Sequence, residues 1–151
     1  MRLVVQRVKE ARVQIRKETV GEIGPGLLIF LGIQAGDMEA DVEYLVEKII
    51  HLRIFQDRDQ KFNLSVIDTG GAVLVVSQFT LLGDCRKGRR PSFSRSASPS
   101  QAQPLYELFI EKVKQTGVPV ACGRFQEMMD VHLINDGPVT FIIDSKKNLT
   151  N

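Results

Sequence analysis

Two short segments of this chain carry groups that can do chemistry. The first, Ser77-Gln78-Phe79-Thr80-Leu81, sets two hydroxyls and an amide just past the apolar run 72–76. Groups that follow a buried strand are where α/β sheets tend to meet ligands. Hydroxyls and amides can orient an ester or donate to a developing oxyanion. Thr80 would act as a nucleophile only with a base beside it, and no His or Lys stands near it in sequence. The second segment, Asn135-Asp136-Gly137-Pro138-Val139-Thr140, puts a Gly-Pro bond between the apolar runs 131–134 and 139–143. Only X-Pro bonds take up the cis form routinely. The segment is therefore either an ordinary trans turn or a rigid element that aims backbone carbonyls where side chains usually point.

Other chemistries fit poorly. His51 and His132 are the only histidines and neither lies in a catalytic motif, which argues against a Ser-His-Asp triad. Cys85 and Cys122 lack metal-ligand or redox spacing and read as reduced thiols. No metal and no cofactor are expected. The net charge of +2 is bland, but its distribution is not: between Cys85 and Tyr106 lie Arg86, Lys87, Arg89, Arg90 and Arg95 with no acidic residue. Gly, Pro and Ser are interspersed there, so the charges belong to a loop, which either is simply solvated or binds a polyanion through counterion release.

The elements that must position these groups follow from periodicity. Alternation over 4–8 and 11–15 predicts a hairpin turning at Lys9-Glu10. The runs 27–31 and 72–76 are apolar without alternation, as central strands covered on both faces would be. Asp37 can cap a helix with Val42, Leu45, Val46 and Ile49 on one face. Ser100 and Gln103 suit a capping box before the stripe Leu105, Leu108, Phe109 and Val113, with Gly117 as the stop. Strands follow at about 119–122, 130–134 and 139–143.

With 151 residues, 43% hydrophobic and 25% charged, the chain fits one α/β (α+β) domain over 1–145. Partly barrel-like packed sheets with two outer amphipathic helices are expected, and then a polar tail at 146–151. Neither a signal-length apolar stretch nor an apolar run of about 18 residues occurs, so a cytoplasmic location without membrane contact is expected. By residue type alone, Phe79 and Phe125 read as core aromatics, and Met128 and Met129 as packing residues.

The two segments, together with Gln6-Arg7-Val8, Gly21-Glu22-Ile23-Gly24, Leu52-Arg53-Ile54-Phe55, Asn63-Leu64-Ser65 and Arg86-Lys87-Gly88-Arg89-Arg90-Pro91-Ser92-Phe93, resemble the D-aminoacyl-tRNA deacylases in order and spacing over 1–145. The resemblance implies a homodimeric carboxylic ester hydrolase that frees tRNA from a D-amino acid, or from glycine mischarged on tRNA(Ala). It implies that a cis Gly137-Pro138 bond enters the partner subunit's site and blocks L side chains, with Arg7 holding the element. Ser77, Gln78, Phe79 and Thr80 would form the catalytic segment, donating backbone N–H groups while the 2′-hydroxyl of the RNA assists attack by water. A nucleophilic Thr80 is the lesser option.

Phe125, Met129 and Asn135 would bind substrate, and Arg86, Lys87, Arg89 and Arg90 the tRNA. One stretch departs from the family: Gln126-Glu127-Met128-Met129 stands where Gly-Ala, one residue and Met are common. The alternatives are a tRNA-binding dimer without hydrolysis and a related deacylase of relaxed chirality.

Overall fold

The computed structural model describes residues 1–146. In chain order the elements are β1 (Arg2–Ile15), β2 (Glu18–Ile23), β3 (Gly26–Gly32), α1 (Glu39–Ile50), β4 (Phe55–Gln56), β5 (Phe62–Leu64), β6 (Ala72–Ser77), a 3-10 turn (Phe79–Leu82), α2 (Pro99–Gln115), β7 (Val120–Cys122) and β8 (Asp130–Asp144). Six strands form one sheet in the order β2-β1-β3-β6-β7, with β8 paired to β1, and β4 and β5 make a small separate hairpin. The pairs β3–β6 and β6–β7 are parallel. The sheet curls until β2 meets β7, where a Cβ on Gly21 would stand 2.6 Å from the Cys122 carbonyl oxygen. The result is a nearly closed barrel with two helices outside, the mixed α/β class expected from the sequence.

β3 and the run 72–76 of β6 are apolar because each of their faces meets a different core. Leu27, Ile29, Leu31, Val73 and Val75 pack with Val42, Leu45 and Ile49 of α1 and Tyr106, Phe109 and Val113 of α2. Leu28, Leu74 and Val76 point the other way, into the barrel, against Val8, Ala11 and Val13. Full burial of a side chain of this size contributes about 1.5–3 kcal/mol, so the central pair anchors both layers. No helix among the described residues is long and apolar enough to cross a membrane.

The expected hairpin at Lys9-Glu10 is absent: β1 runs unbroken from Arg2 to Ile15. Its pairing with β8 shifts register between Val8 and Glu10, so a bulge re-phases the alternation that reads as a turn in sequence. β8 is likewise one strand, not two. The helix caps also differ. Met38 is the N-cap of α1, while the Asp37 carboxylate accepts from the Gln34 N–H and pairs with Lys146 and with the Met1 ammonium. Ser98, not Ser100, is the N-cap of α2, with Pro99 as the first helical residue. Lys146 is thus tied down rather than part of a free tail, and the rest of the expected tail, 147–151, lies outside the described residues.

Candidate active site

β6 ends at Ser77 and delivers the chain to a cleft of about 680 Å3. Ser77, Gln78, Phe79 and Thr80 line one side, and Phe125, Gln126, Glu127, Met128 and Met129 another. Gln78 is fixed by its N–H, which donates to the Leu31 carbonyl at 2.8 Å. Hydrogen bonding within the turn starts with the Leu81 N–H to the Gln78 carbonyl, so the N–H groups of Phe79 and Thr80 stand outside it. Thr80 Oγ1 accepts from Gln78 Nε2. Among the described residues no His or Lys lines the cleft, and its one ionisable lining side chain is that of Glu127.

The opposite wall is built on Gly123. A Cβ there would meet Met129 Sδ at 2.6 Å, so glycine lets the thioether lie flat on the backbone. Phe125 packs against Tyr106 with ring centroids 5.7 Å apart. The Tyr106 hydroxyl is buried within reach of the Val75 carbonyl at 3.1 Å and the Gly123 carbonyl at 3.4 Å. Burial pushes that phenol well above its ordinary value, so it stays a neutral donor. The two larger polar residues, Gln126 and Glu127, border the cleft without closing it.

The Gly-Pro segment is a wide excursion inside β8. Gln6 pairs with Thr140 and Val8 with Asn135, so the single residue Arg7 stands opposite residues 136–139. The Gly137-Pro138 peptide bond is cis, and both residues are exposed. Arg7 is 5% exposed and fills the concavity behind them. Its Nε donates to the Asp136 carbonyl at 3.2 Å and lies 3.0 Å from the Asp136 carboxylate, while Nη1 donates to the Ile54 carbonyl at 2.6 Å. Phe62 of β5 covers the guanidinium with its ring centroid 5.4 Å away. Asn135 Nδ2 donates to the carbonyls of Arg7 and Val139, at 2.9 and 3.0 Å. Asn135 therefore braces the excursion and does not line the cleft, and within one chain neither do Arg7, Gly137 and Pro138.

The four basic residues are not equivalent. Lys87, Arg89 and Arg90 are exposed at a loop tip, whereas the Arg86 guanidinium is spent on Asp84 at 2.7 Å. Those bonds and the Arg86 N–H hold the Asp84 carboxyl well below the usual carboxylate range. Asp84 lies one residue before the basic island, outside the run that the charge pattern marks. No residue-type signal in the sequence marks Ile54, Phe62 or Tyr106 as bracing these elements. Ile54 acts through a carbonyl, which has no residue-type signature, and the other two act through contacts distant in sequence. Among the described residues no group of three His, Cys, Asp or Glu side chains could hold a metal ion.

The barrel with two outer helices is a fold shared with solved structures. One described as c-Myc DNA Unwinding Element Binding Protein superimposes with a TM-score of 0.92 at 39% identity, covering 97% of this chain and 99% of that one. Another, described as a probable eukaryotic D-amino acid tRNA deacylase, gives 0.80 at 17% identity over 95% and 98%, a likeness of fold alone.

The family model for D-Tyr-tRNA(Tyr) deacylase matches residues 4–144. A D-aminoacyl-tRNA deacylase of Syntrophobacter fumaroxidans is 58% identical over 97% of this chain and 99% of its own length. One of Desulfotalea psychrophila shows the same identity and coverage. The chain belongs to the D-aminoacyl-tRNA deacylase family.

Proposed function

We propose that the chain hydrolyses the ester of D-aminoacyl-tRNA in the cytoplasm, releasing tRNA and a D-amino acid, and also clears glycyl-tRNA(Ala). The observation that carries this reading is the excursion at 136–139, anchored by Arg7 and presented outward, in a chain whose own cleft holds the Ser77–Thr80 turn.

The working unit is a homodimer. β8 pairs only with β1 among the described strands, so its other edge is open, and Phe141 and Ile142 on it are 38% and 67% exposed. An open edge with exposed apolar side chains favours a second copy. In the dimer, Gly137 and Pro138 of each chain enter the partner's cleft. A rigid wall of main-chain oxygens rejects one hand of the α-carbon whatever its side chain, and glycine passes.

In the cleft, the terminal adenosine lies against Phe125 and Met129, and the ester carbonyl sits over the turn. Water, oriented by the RNA 2′-hydroxyl, adds to the carbonyl carbon, and the N–H groups of Phe79 and Thr80 donate to the oxyanion. The bond to the ribose oxygen then breaks, and that oxygen takes up the proton. Orientation and oxyanion stabilisation carry such a reaction without a protein nucleophile. Lys87, Arg89 and Arg90 hold RNA phosphates.

D-tyrosyl-tRNA ending in ordinary or 2′-deoxy adenosine, with the amino acid on the 3′ oxygen of both, tests the scheme. Rapid hydrolysis of the first and a loss of about 100-fold on the second are expected. Equal rates would remove the role of the RNA hydroxyl, and an intact ester on both would favour a binding protein.

A further inference from the structure

Phe93 stands where the basic loop meets the catalytic turn. Its ring lies edge-on to that of Phe79, with centroids 5.0 Å apart and planes at 65°. The Phe93 ring edge comes within 3.0 Å of where a Cβ on Gly83 would sit, so the bare glycine backbone seats it. The loop itself is closed into a ring: the Asp84 N–H donates to the Ser92 carbonyl at 2.8 Å, and the Ser92 N–H returns to the Asp84 carbonyl at 2.9 Å. One foot of this ring leads through Gly83 to the turn, and the other leads directly to Phe93. Three residues on, Ser96 Oγ donates to the Phe79 carbonyl at 3.4 Å. Phe79 is thus held through both its ring and its carbonyl by one stretch of chain that starts at the foot of the basic loop.

Neither ring belongs to a buried core. Phe79 is 55% and Phe93 38% exposed, and both lie outside the two clusters that build the fold. The contact therefore lies outside the clusters that build the fold and falls on the turn that lines the cleft. We propose that Phe93 is a positioning residue: its ring fixes Phe79, and with it the Phe79 and Thr80 N–H groups, and couples that orientation to the seating of RNA on Lys87, Arg89 and Arg90. This rests on the deacylase reading above. An edge-to-face pair biases an equilibrium by about three- to tenfold, enough to govern how often the two donors face the ester.

Single-turnover hydrolysis of D-tyrosyl-tRNA with excess full-length enzyme tests it. At saturation Phe93→Ala should lower the rate about tenfold, while the half-saturating enzyme concentration moves less than about twofold. Phe93→Tyr, which keeps the ring, should restore the rate, and Phe93→Leu, which keeps only bulk, should not. In the wild-type background Arg89→Ala with Arg90→Ala should lower both affinity and saturated rate. In the Phe93→Ala background it should lower affinity alone, a non-additive pattern that marks coupling.

An unchanged rate for Phe93→Ala, equal rescue by Leu and Tyr, a loss confined to affinity, or additive effects would overturn the proposal. So would failure of Phe93→Ala to fold, because it would put the contact in the core. An inert wild type would instead sink the deacylase reading, and this inference with it.

Discussion

Arg7 Nε stands 3.2 Å from the Asp136 carbonyl oxygen and 3.0 Å from the Asp136 carboxylate, so one N–H edge grips both the backbone and the side chain of the residue before the Gly-Pro pair. The other edge grips the Ile54 carbonyl, joining the excursion in β8 to the segment that leads into the β4–β5 hairpin. A planar, permanently charged fork can do this, and a single ammonium cannot span the same acceptors.

Arg7→Lys should therefore lower stability by about 1–3 kcal/mol, the worth of charged hydrogen bonds at a nearly buried site. The same change should raise hydrolysis of L-tyrosyl-tRNA relative to the D form. Chemical denaturation reads the first effect, and paired deacylation assays the second. Retained stability together with unaltered discrimination would show that the excursion holds itself.

Thr80→Val should keep activity within about tenfold of wild type, because a hydroxyl that only accepts from Gln78 is not a nucleophile. Loss of a true covalent nucleophile costs many orders of magnitude, on the scale of 10^4 or more. Single-turnover rates, with a search for an acyl-enzyme by mass spectrometry, separate the two.

Arg89→Ala with Arg90→Ala should weaken tRNA binding and flatten its logarithmic salt dependence by about 1.4, at roughly 0.7 for each phosphate released from a single strand. Arg86→Ala should matter less, since its guanidinium already serves Asp84. Asp84→Asn should tighten binding by freeing Arg86 and removing a negative charge. Salt titrations of tRNA affinity check all three variants.

Asp84 also sets a pH expectation. Its folded carboxyl is held below the usual range by Arg86, so the pair's contribution is present above the unfolded carboxylate value, about 3.9, and is lost only as pH falls through the lower folded one. Between about pH 5 and 8 the Asp84–Arg86 pair should contribute no pH dependence to RNA binding. A binding curve that titrates in that window and is flattened by Asp84→Asn would contradict this.

Much of the fold was legible because its signals are local. The runs in β3 and β6 announce strands covered on both faces, and the stripes of α1 and α2 announce their buried sides. In sequence β1 and β8 each read as a pair of strands, because the register shifts near Val8 and at 136–139 re-phase the alternation while leaving one strand intact. The Ser77–Thr80 wall of the cleft was readable for the same local reason. What braces the Gly-Pro segment was not: Asn135 meets the Arg7 carbonyl across 128 residues, and Arg7 meets Ile54 across 47. Periodicity carries no information about such pairings.

The most direct test of handedness judged by main-chain oxygens is the ratio of initial rates on D-tyrosyl-tRNA and L-tyrosyl-tRNA at equal concentration. The D form should be cleaved at least about 100-fold faster, since a steric wall discriminates far more sharply than a pocket sensing one methylene. Comparable rates on the two enantiomers would contradict the account.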